Sequence, residues 1–441
     1  MDQVTAEMDQ ISIKSPAAQP TSPPSSPPPP CPYLPPEILS HILDNITHHS
    51  HQEENATYAR LCLVGRSFLP IAQECLYSTS FVCIYAHLHD YKEGSESAEL
   101  EDFFRRELLL FETLTKAKHL ARLVRTIYIS FAERPPSSKN ALQATELISQ
   151  LKNVRQIWFE EGEKGKEWWP LQENTEAPDH LRALHAALSQ RRLLEVLSIP
   201  QFRFPPVEAL RLLDSLEHLT TFRGQLFTPS PSATSTLDRR WLNVSVTRHE
   251  TPQDLYFFLA ASFSTLRFLH LRYSGDKLIL LDTFIHLTDL VVTIVGNFPS
   301  LLSAADSSDN FHTFLTSCKL LPSLSSFSLL FEDVNVLNRR VFCADVFGGG
   351  LLPRGLQELA VGPKSSLSLN WQNFLDDMKS SSPLLNKLYL SGAGNLEPWE
   401  SGTQVMFGVR DMEKAYGVQV VWMKEEDWEE WIDGEFYPED D

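Results

Sequence analysis

The sequence predicts an α/β protein in which a short three-helix module is followed by an irregular repeat solenoid with a parallel sheet. Apolar residues recur at helical spacing between residues 31 and 80, and a short apolar hexad then recurs as far as residue 423. Helix-forming stretches separate many of the successive hexads. The order strand, helix, next strand lets each unit bury one face of its strand against its own helix.

Residues 1–30 form a leader with almost nothing apolar to bury. They end in PTSPPSSPPPP, and a proline- and serine-rich tract of this kind is extended and disordered. Ser15, Ser22 and Ser26 each precede a proline, which suits proline-directed kinases. The leader is therefore predicted to be a linker or a docking strand without a fold of its own.

A helical module is predicted over residues 31–80. The stretch PYLPPEILSHILDNI has prolines suited to a helix start, and its apolar residues share one helical face, namely Ile38, Leu39, Ile42, Leu43 and Ile46. A polar break, THHSHQEENAT, follows. The next segment, YARLCLVGRSFLPIAQECLYSTSF, keeps three- and four-residue apolar spacing and so predicts two further short helices.

From residue 81 to residue 423 the chain repeats the pattern apolar-x-x-apolar-x-apolar. The hexads begin at Val124, Val154, Leu194, Trp241, Leu266, Leu287, Leu324, Leu356, Leu385 and Val418, with a poorer copy beginning at Leu216. Counting that copy, successive starts are 21 to 40 residues apart, the limits being Leu266 to Leu287 and Val154 to Leu194. This spacing brackets the leucine-rich-repeat period of about 20 to 29 residues and exceeds it where helices or loops are inserted. A leucine-rich-repeat-like solenoid is therefore predicted, with a continuous core that includes Leu269, Leu271, Leu290, Leu359 and Leu388.

Helix candidates lie between the hexads. In TPQDLYFFLAASF, Thr251 is the expected N-cap, Pro252 takes the first helical position, and Asp254 completes a capping-box-like pattern. The other candidates are SAELEDFFRRELLLFETLTKAKHL, APDHLRALHAALSQRR, PVEALRLLDSL, DNFHTFLTSCKLL and NWQNFLDDMKS.

Bulk composition argues against several classes of partner. The formal net charge of -19 repels phosphate backbones and anionic lipid surfaces, so no nucleic acid partner is expected. Even the apolar run LTDLVVTIVG is about half the roughly 18 residues of a membrane span, so no membrane partner is expected.

The acidic start MDQVTAEMDQ lacks the parts of a secretory signal, and the six dispersed cysteines are expected to be reduced. Residence in the cytosol or the nucleus is therefore expected.

No motif indicates catalysis, a cofactor or a metal. His48, His49 and His51 lie in a polar stretch, where solvated imidazoles are expected and not metal ligands. The glycines at 348–350 are not followed by Lys-Ser/Thr, so they predict a flexible turn and not a phosphate cradle. Neither a G-x-S-x-G elbow nor an H-E-x-x-H motif occurs. The chain is expected not to be an enzyme.

Two aromatic segments leave alternatives open. Trp168 and Trp169 either anchor a partner or fold back on the insertion between the second and third hexads. Residues 424–441, KEEDWEEWIDGEFYPEDD, mix ten acidic residues with four aromatic ones. This segment is either a cap over the last strand, with its acids facing water, or a tail that holds a basic partner.

The segment from Leu34 to Phe81 resembles the F-box, and fungal members of that family with degenerate repeats are the nearest likeness. Its opening LPPEIL is similar to the Leu-Pro-x-Glu-Ile/Val-Leu start of the motif, and LCLVGRSFLPIAQECLY is similar to the second half. The chain departs from the family at Gly65, where cysteine is usual, at Phe68, where tryptophan is commoner, and in the long break between the halves.

The resemblance implies two binding functions. The F-box docks onto the Skp-type adaptor protein of a cullin-RING ubiquitin ligase, and a downstream repeat domain captures a protein substrate. The positions that match the docking residues are Leu34, Pro35, Ile38, Leu39, Leu63, Val64, Arg66 and Phe68. The implied function is that of a substrate-recruiting adaptor subunit of an SCF-type ligase, with catalysis supplied by other subunits. The alternative is a leucine-rich-repeat scaffold whose F-box-like helices serve only as a cap.

Overall fold

The structure, a computed structural model, describes the chain in segments. These are residues 35–44, 51–66, 68–84, 98–131, 137–159, 178–200, 206–225, 239–248, 252–273, 281–295, 313–332, 341–342, 351–362, 365–366, 376, 378–391, 413–414 and 416–423. The chain divides into two compact units, residues 1–71 and residues 72–441. The predictions for the leader, for Trp168 and Trp169, for the glycines at 348–350 and for the C-terminal segment lie outside the described residues.

Two helices and the start of a third lie in the described part of the first unit. α1 spans Pro36–Asp44, α2 spans His51–Val64, and α3 spans Leu69–Ser78 and continues into the second unit. Proline suits the first turn of α1, because the N–H that it lacks would have no partner inside the helix. The predicted polar break is shorter than expected, since α2 already begins at His51.

The strands of the second unit build an all-parallel sheet. Among the described residues, twelve strands follow one another in the order β1-β2-β3-β4-β5-β6-β7-β8-β9-β11-β13-β14, and β10 and β12 form a separate pair. The strands are β1 (Thr79–Ile84), β2 (Thr126–Phe131), β3 (Gln156–Phe159), β4 (Val196–Ile199), β5 (Thr221–Gln225), β6 (Asn243–Arg248), β7 (Phe268–Tyr273), β8 (Asp289–Val295), β9 (Ser326–Glu332), β10 (Val341–Phe342), β11 (Glu358–Gly362), β12 (Ser365–Ser366), β13 (Lys387–Ser391) and β14 (Gln419–Met423). Each strand of the large sheet pairs with its neighbours in chain order, so the predicted repeat solenoid is confirmed.

Helices cover one face of this sheet. They are α4 (Ala98–Lys116), α5 (Lys118–Ala121), α6 (Ser138–Gln150), α7 (Asp179–Ser189), α8 (Pro206–Ser215) and α9 (Pro252–Leu259), with further helical residues at 313–319 and 378–381. α9 begins at Pro252 as predicted. α6 was not among the helix candidates, although Ala141, Ala144 and Ile148 recur at helical spacing and are buried. Its N-cap is Ser137, whose hydroxyl accepts a hydrogen bond from the backbone N–H of Asn140.

The apolar hexads coincide with the strands. In β2, β3, β4, β6, β7, β8, β9 and β11, the strand begins two residues after the first hexad residue, and all three hexad residues lie in one core cluster. The five leucines predicted for the core are confirmed there, each exposed by 2% or less. The helices contribute to the same cluster, so strands and helices share one continuous core.

The hexad predicted for β5 is displaced by three residues. In the sheet, Phe222 pairs with Leu197 of β4 and Gly224 pairs with Ile199, so the repeat reads Leu219-Phe222-Gly224. A Cβ on Gly224 would lie 2.5 Å from the end of the Phe222 ring. The prediction failed here because the ring fills the space of two apolar positions and leaves room only for glycine.

The hexad predicted for β14 is displaced by one residue. Val420 pairs with Leu388 of β13 and packs against the core, whereas Val421 packs on the opposite face. Gly417 precedes the strand with φ of 62°. A left-handed glycine is a common helix end. β14 begins at Gln419, one residue after Val418, whereas the other strands begin two residues after the first hexad residue.

Strand β1 has no counterpart among the predicted hexads. It follows α3 directly and pairs in parallel with β2, from Thr79 opposite Thr126 to Ile84 opposite Phe131. Val82 and Ile84 enter the core. The short continuous apolar run FVCI is the signal that would have indicated this strand.

Candidate functional site

Helix α1 of the first unit has one buried stripe and one exposed stripe. Leu39 and Leu43 are buried, whereas Ile38 and Ile42 are 48% and 44% exposed. Residues four apart share a helix face, so the two isoleucines lie together on one side of α1. A single exposed isoleucine needs no explanation, but a pair on one helix is a candidate contact surface.

The turn between α2 and α3 also exposes apolar side chains. Leu63 is 87% exposed, Val64 is 66% exposed, and Leu69 is 37% exposed. The turn is tight, because the backbone N–H groups of Phe68 and Leu69 both donate to the carbonyl oxygen of Gly65. We call Ile38, Ile42, Leu63, Val64 and Leu69 the exposed apolar set.

The positions that match F-box docking residues fall into three groups. Leu34 lies outside the described residues. Exposed side chains are those of Pro35, Ile38, Leu63, Val64 and Arg66, and Phe68 is half-buried. Leu39 is only 1% exposed, so its side chain packs inside the chain in this structure, and its predicted docking role stays a prediction. Ile42 was missed, although it follows Ile38 by one helical turn.

The second unit presents another surface on the face of its sheet that points away from the core. Successive strand residues alternate between the two faces, so the residues between core positions form this second face. At its N-terminal end, the Phe81 and Tyr128 rings stack with centroids 4.5 Å apart, and the Tyr128 and Trp158 rings stack at 6.1 Å. Burial raises the pKa of the Tyr128 hydroxyl. Phe81 is 41% exposed, so the outer end of the stack is open to contact.

A polar relay crosses the middle of the second face. His270 of β7 is hydrogen-bonded through Nδ1 to the Ser245 hydroxyl of β6 and through Nε2 to the Thr293 hydroxyl of β8, both at 3.0 Å. Burial, together with the charges of Arg223 and Arg272, lowers the pKa of His270 to about 3. The imidazole is therefore neutral at pH 7 and bears a single N–H.

The contact between Ser245 and His270 does not have the properties of a nucleophile and its base. Ser245 has no exposed surface, so its hydroxyl does not meet a substrate. The second nitrogen of His270 binds the Thr293 hydroxyl, where a catalytic triad has a carboxylate. A pKa of about 3 also lies far from the value near 7 that suits a general base. The relay is a polar link between three strands.

Charged residues line the start of several strands on the second face. Lys387 of β13 forms a salt bridge of 2.8 Å with Glu358 of β11. Burial raises the pKa of Asp289 on β8, and the charge of Glu358 adds to that effect. The Thr288 hydroxyl opposes it by donating to the Asp289 carboxylate at 2.6 Å. Both residues of the salt bridge are partly exposed, so the pair adds at most about 1 kcal/mol.

The described residues hold no group of three or more His, Cys, Asp and Glu side chains placed to bind a metal ion. Of the predicted histidine cluster, His51 lies in α2, and His48 and His49 lie outside the described residues. Within the same described segments, no helix has both the length and the apolar character needed to cross a membrane.

Comparison with known proteins gives a distant similarity to a solved structure. No protein-family model and no curated protein matches the chain. A solved structure titled "Crystal structure of Rad7 and Elc1 complex in yeast" is similar over 81% of this chain and 87% of that chain, at 13% sequence identity and a TM-score of 0.37. A similarity of this size carries no argument about function. The assignment of a repeat solenoid therefore rests on the strand order and register of the chain itself.

Proposed function

We propose that this chain is a substrate-recruiting adaptor subunit of an SCF-type cullin-RING ubiquitin ligase. In this proposal the first unit docks a Skp-type adaptor protein, and the repeat sheet binds a protein substrate in the cytosol or the nucleus. Catalysis belongs to other subunits. The observation that carries the proposal is the exposed apolar set, which lies on the segment that resembles the F-box.

The exposed apolar set supports docking because of where its members lie. Ile38, Leu63 and Val64 occupy positions that match docking residues of the F-box, and all three are exposed. Exposing leucine and isoleucine to water brings no stability to the chain, whereas a partner that covers them gains roughly 25 cal/mol for each Å² of apolar surface removed from water. A set of apolar side chains on short helices is also a suitable surface for a partner's hydrophobic groove.

The second unit supports the other half of the proposal. A parallel sheet with a continuous core is a stiff support, and residues on its second face keep a constant spacing of about 4.8 Å from strand to strand. The stacked Phe81 and Tyr128 rings at one end of that face are the residue type that dominates binding hot spots. A substrate bound there is held by a scaffold that does not need to fold on binding.

The adaptor-docking proposal is tested by capture of a purified Skp-type adaptor with the full chain. Replacing Leu63 with serine removes the most exposed member of the set, and we expect a loss in affinity of about thirtyfold if it is a hot spot. The unfolding midpoint in urea should stay unchanged, since the side chain is 87% exposed. The matched control is Leu320→Ser in the second unit, where leucine is 64% exposed. That control should bind the adaptor like the parent chain.

A second variant separates docking from packing. Leu39→Ala removes a buried side chain, and we expect it to lower the free energy of unfolding by about 2 to 5 kcal/mol. If the unmodified chain captures no Skp-type adaptor, the ubiquitin-ligase function is wrong and the repeat scaffold remains. Equal adaptor binding by the Leu63→Ser variant and the parent would remove Leu63 from the docking surface.

A further inference from the structure

The second half of helix α2 exposes a stripe of residues that is almost entirely apolar. The exposed residues of this stripe are Ala56, Ala59, Arg60, Leu63 and Val64. Their spacing of three and four residues places them on one face of the helix. Solvent-facing stripes of helices are normally polar or charged along their length. Arg60 is the one charged residue of this stripe, so the face has the composition of a contact surface and not of a solvated one.

The charge of this region is positive. From residue 55 to residue 73 the sequence contains no Asp or Glu, and its charged residues are Arg60 and Arg66. The formal net charge of the whole chain is -19, so the region differs in sign from the chain to which it belongs. Glu54 lies on a different face of α2, where it accepts a hydrogen bond from the hydroxyl of the buried Tyr58 at 3.0 Å.

Contacts inside the described part of the chain do not account for the two arginines. Arg60 and Arg66 are exposed, and no hydrogen bond or ion pair joins either guanidinium group to another described residue. Arg66 follows the C-terminal end of α2, where the helix dipole favours a cation. Arg60 lies before the last turn of the helix, where this effect has faded. A carboxylate of a partner would give Arg60 the ion pair that these residues do not supply.

We propose that Arg60, together with Arg66, pairs with carboxylates at the rim of the partner groove that covers the exposed apolar set. The inference rests on the proposed adaptor-docking function, because it names the chemistry of the partner at the same surface. Arg60 matches no docking position of the F-box, so it is a further binding residue.

A partner groove with an apolar floor and an acidic rim fits both properties of α2. The floor removes Leu63 and Val64 from water, and the rim stays polar, as in other protein interfaces. Arg60 lies one helical turn before Leu63, so a carboxylate that reaches Arg60 lies at the border of the apolar contact. Charges at a rim act mainly on the rate of association and on its dependence on salt.

The affinity of the full chain for a purified Skp-type adaptor is measured at about 0.1 M and about 1 M salt, between which the Debye length falls from about 10 Å to about 3 Å. We expect Arg60→Gln to lower the affinity about threefold to fivefold at the lower concentration, and to match the parent at the higher one. Arg60→Lys keeps the charge and should recover most of the lost affinity. Arg267→Gln makes the same charge change at an exposed position of the second unit and should bind like the parent.

Leu63→Ser separates a failure of this inference from a failure of the proposed function. The contact of Leu63 carries no charge, so its loss should lower the affinity by the same factor at both salt concentrations. If the adaptor binds the parent, and binds Arg60→Gln and Arg267→Gln equally at the lower concentration, the acidic rim is wrong and the docking function stands. If the parent binds no adaptor at either concentration, both are wrong.

Two other occupants also have charges that complement Arg60, namely an anionic membrane and a second copy of this acidic chain. Cosedimentation with phosphatidylserine vesicles tests the first, and light scattering of the chain alone tests the second. Vesicle binding or dimerisation that Arg60→Gln abolishes would assign Arg60 to that occupant and overturn the proposal. Salt-dependent adaptor binding, with neither vesicle binding nor dimerisation, supports it.

Discussion

His270 shows how one buried side chain links three repeats. Its neighbours in the relay are 25 and 23 residues away in the chain, and the parallel register brings them within hydrogen-bond distance. Hydrogen bonds to both ring nitrogens offset the unfavourable free energy of removing the imidazole from water. The same burial keeps the ring neutral, so its contribution to stability depends on pH.

The pKa of His270 gives the direction of that dependence. The pKa is lowered in the folded chain to about 3, so below about pH 6.5 the unfolded chain binds a proton that the folded chain does not. The stabilisation is therefore complete above about pH 6.5 and is lost as the pH falls toward 3.

We expect His270→Gln to weaken the pH dependence of stability. Between pH 7.5 and pH 5 the free energy of unfolding of the parent chain should fall by about 2 kcal/mol because of this group. In the variant the free energy of unfolding should fall by about 2 kcal/mol less over the same pH range. Urea unfolding at the two pH values measures the difference. His286→Gln, at an exposed position before β8, is the control and should keep the pH dependence of the parent. Equal pH dependence of stability in the parent and in His270→Gln would contradict the lowered pKa of His270 in the folded chain.

At the scale of the secondary-structure element, arginine side chains connect the helices and turns of successive repeats. Arg191 is buried after α7, where its Nη1 donates to the carbonyl oxygen of Leu151 at 2.9 Å and its Nε donates to that of Ala187 at 3.2 Å. Leu151 is the C-cap of α6, so the guanidinium satisfies carbonyl groups at the ends of two neighbouring helices. Burial lowers the pKa of Arg191.

A second arginine has the same function two repeats later. Arg239 donates through Nη1 to the carbonyl oxygen of Leu219 at 3.1 Å and also bonds to that of Leu216. Its guanidinium lies over the Trp241 ring, 5.6 Å from the centroid. In a later repeat a serine hydroxyl binds the turn carbonyl instead: Ser382 donates to the carbonyl oxygen of Pro353 at 2.6 Å. Turn carbonyls of one repeat are thus repeatedly bound by the next repeat.

We expect Arg191→Gln to destabilise the second unit. The shorter amide side chain does not reach both carbonyl oxygens, and leaving them unsatisfied should cost about 1 to 3 kcal/mol. Arg192→Gln is the matched control, since the neighbouring side chain is exposed and should change stability by less than about 0.5 kcal/mol. Chemical denaturation of both variants measures the difference. Equal stability of the two variants would show that water replaces the guanidinium.

At the scale of the whole molecule, the described strands of the large sheet pair only with their neighbours in order along the chain. The free energy of unfolding of such an array is close to the sum of the contributions of the individual repeats and of the interfaces between adjacent repeats. β1 and β14 each have one neighbour in the described sheet, whereas β7 and β8 have two. The ends of the sheet should therefore open more readily than its middle.

Hydrogen exchange checks this expectation. Backbone amides of β7 and β8 should exchange more slowly than those of β1 and β14, because an end strand opens by losing one neighbour only. Mass spectrometry of peptic fragments from the full chain resolves these strands. Equal protection from β1 to β14 would contradict nearest-neighbour behaviour and indicate that the sheet opens as one unit.

The sequence by itself determined the repeat architecture. Strand and helix periodicities are local, so the hexads beginning at Val124 and Leu356 were enough to locate β2 and β11. A local signal also existed for α6, where buried residues recur at helical spacing, and for β1, which contains the apolar run FVCI. The core positions Leu269 and Leu290 followed from that pattern because apolar burial repeats with the strand period.

Only the tertiary structure decided register and exposure. Local patterns do not show how the Phe222 ring packs beside Gly224, because the ring also lies against Trp241 and Phe258, which are distant along the chain. They also do not distinguish Leu39 from Ile38, two adjacent apolar residues of one helix, of which one is buried and the other exposed. The contact of His270 with both neighbouring strands has no sequence signal, because its partners are assembled by the parallel register across three repeats. Such features depend on contacts between distant residues, and packing in three dimensions alone specifies them.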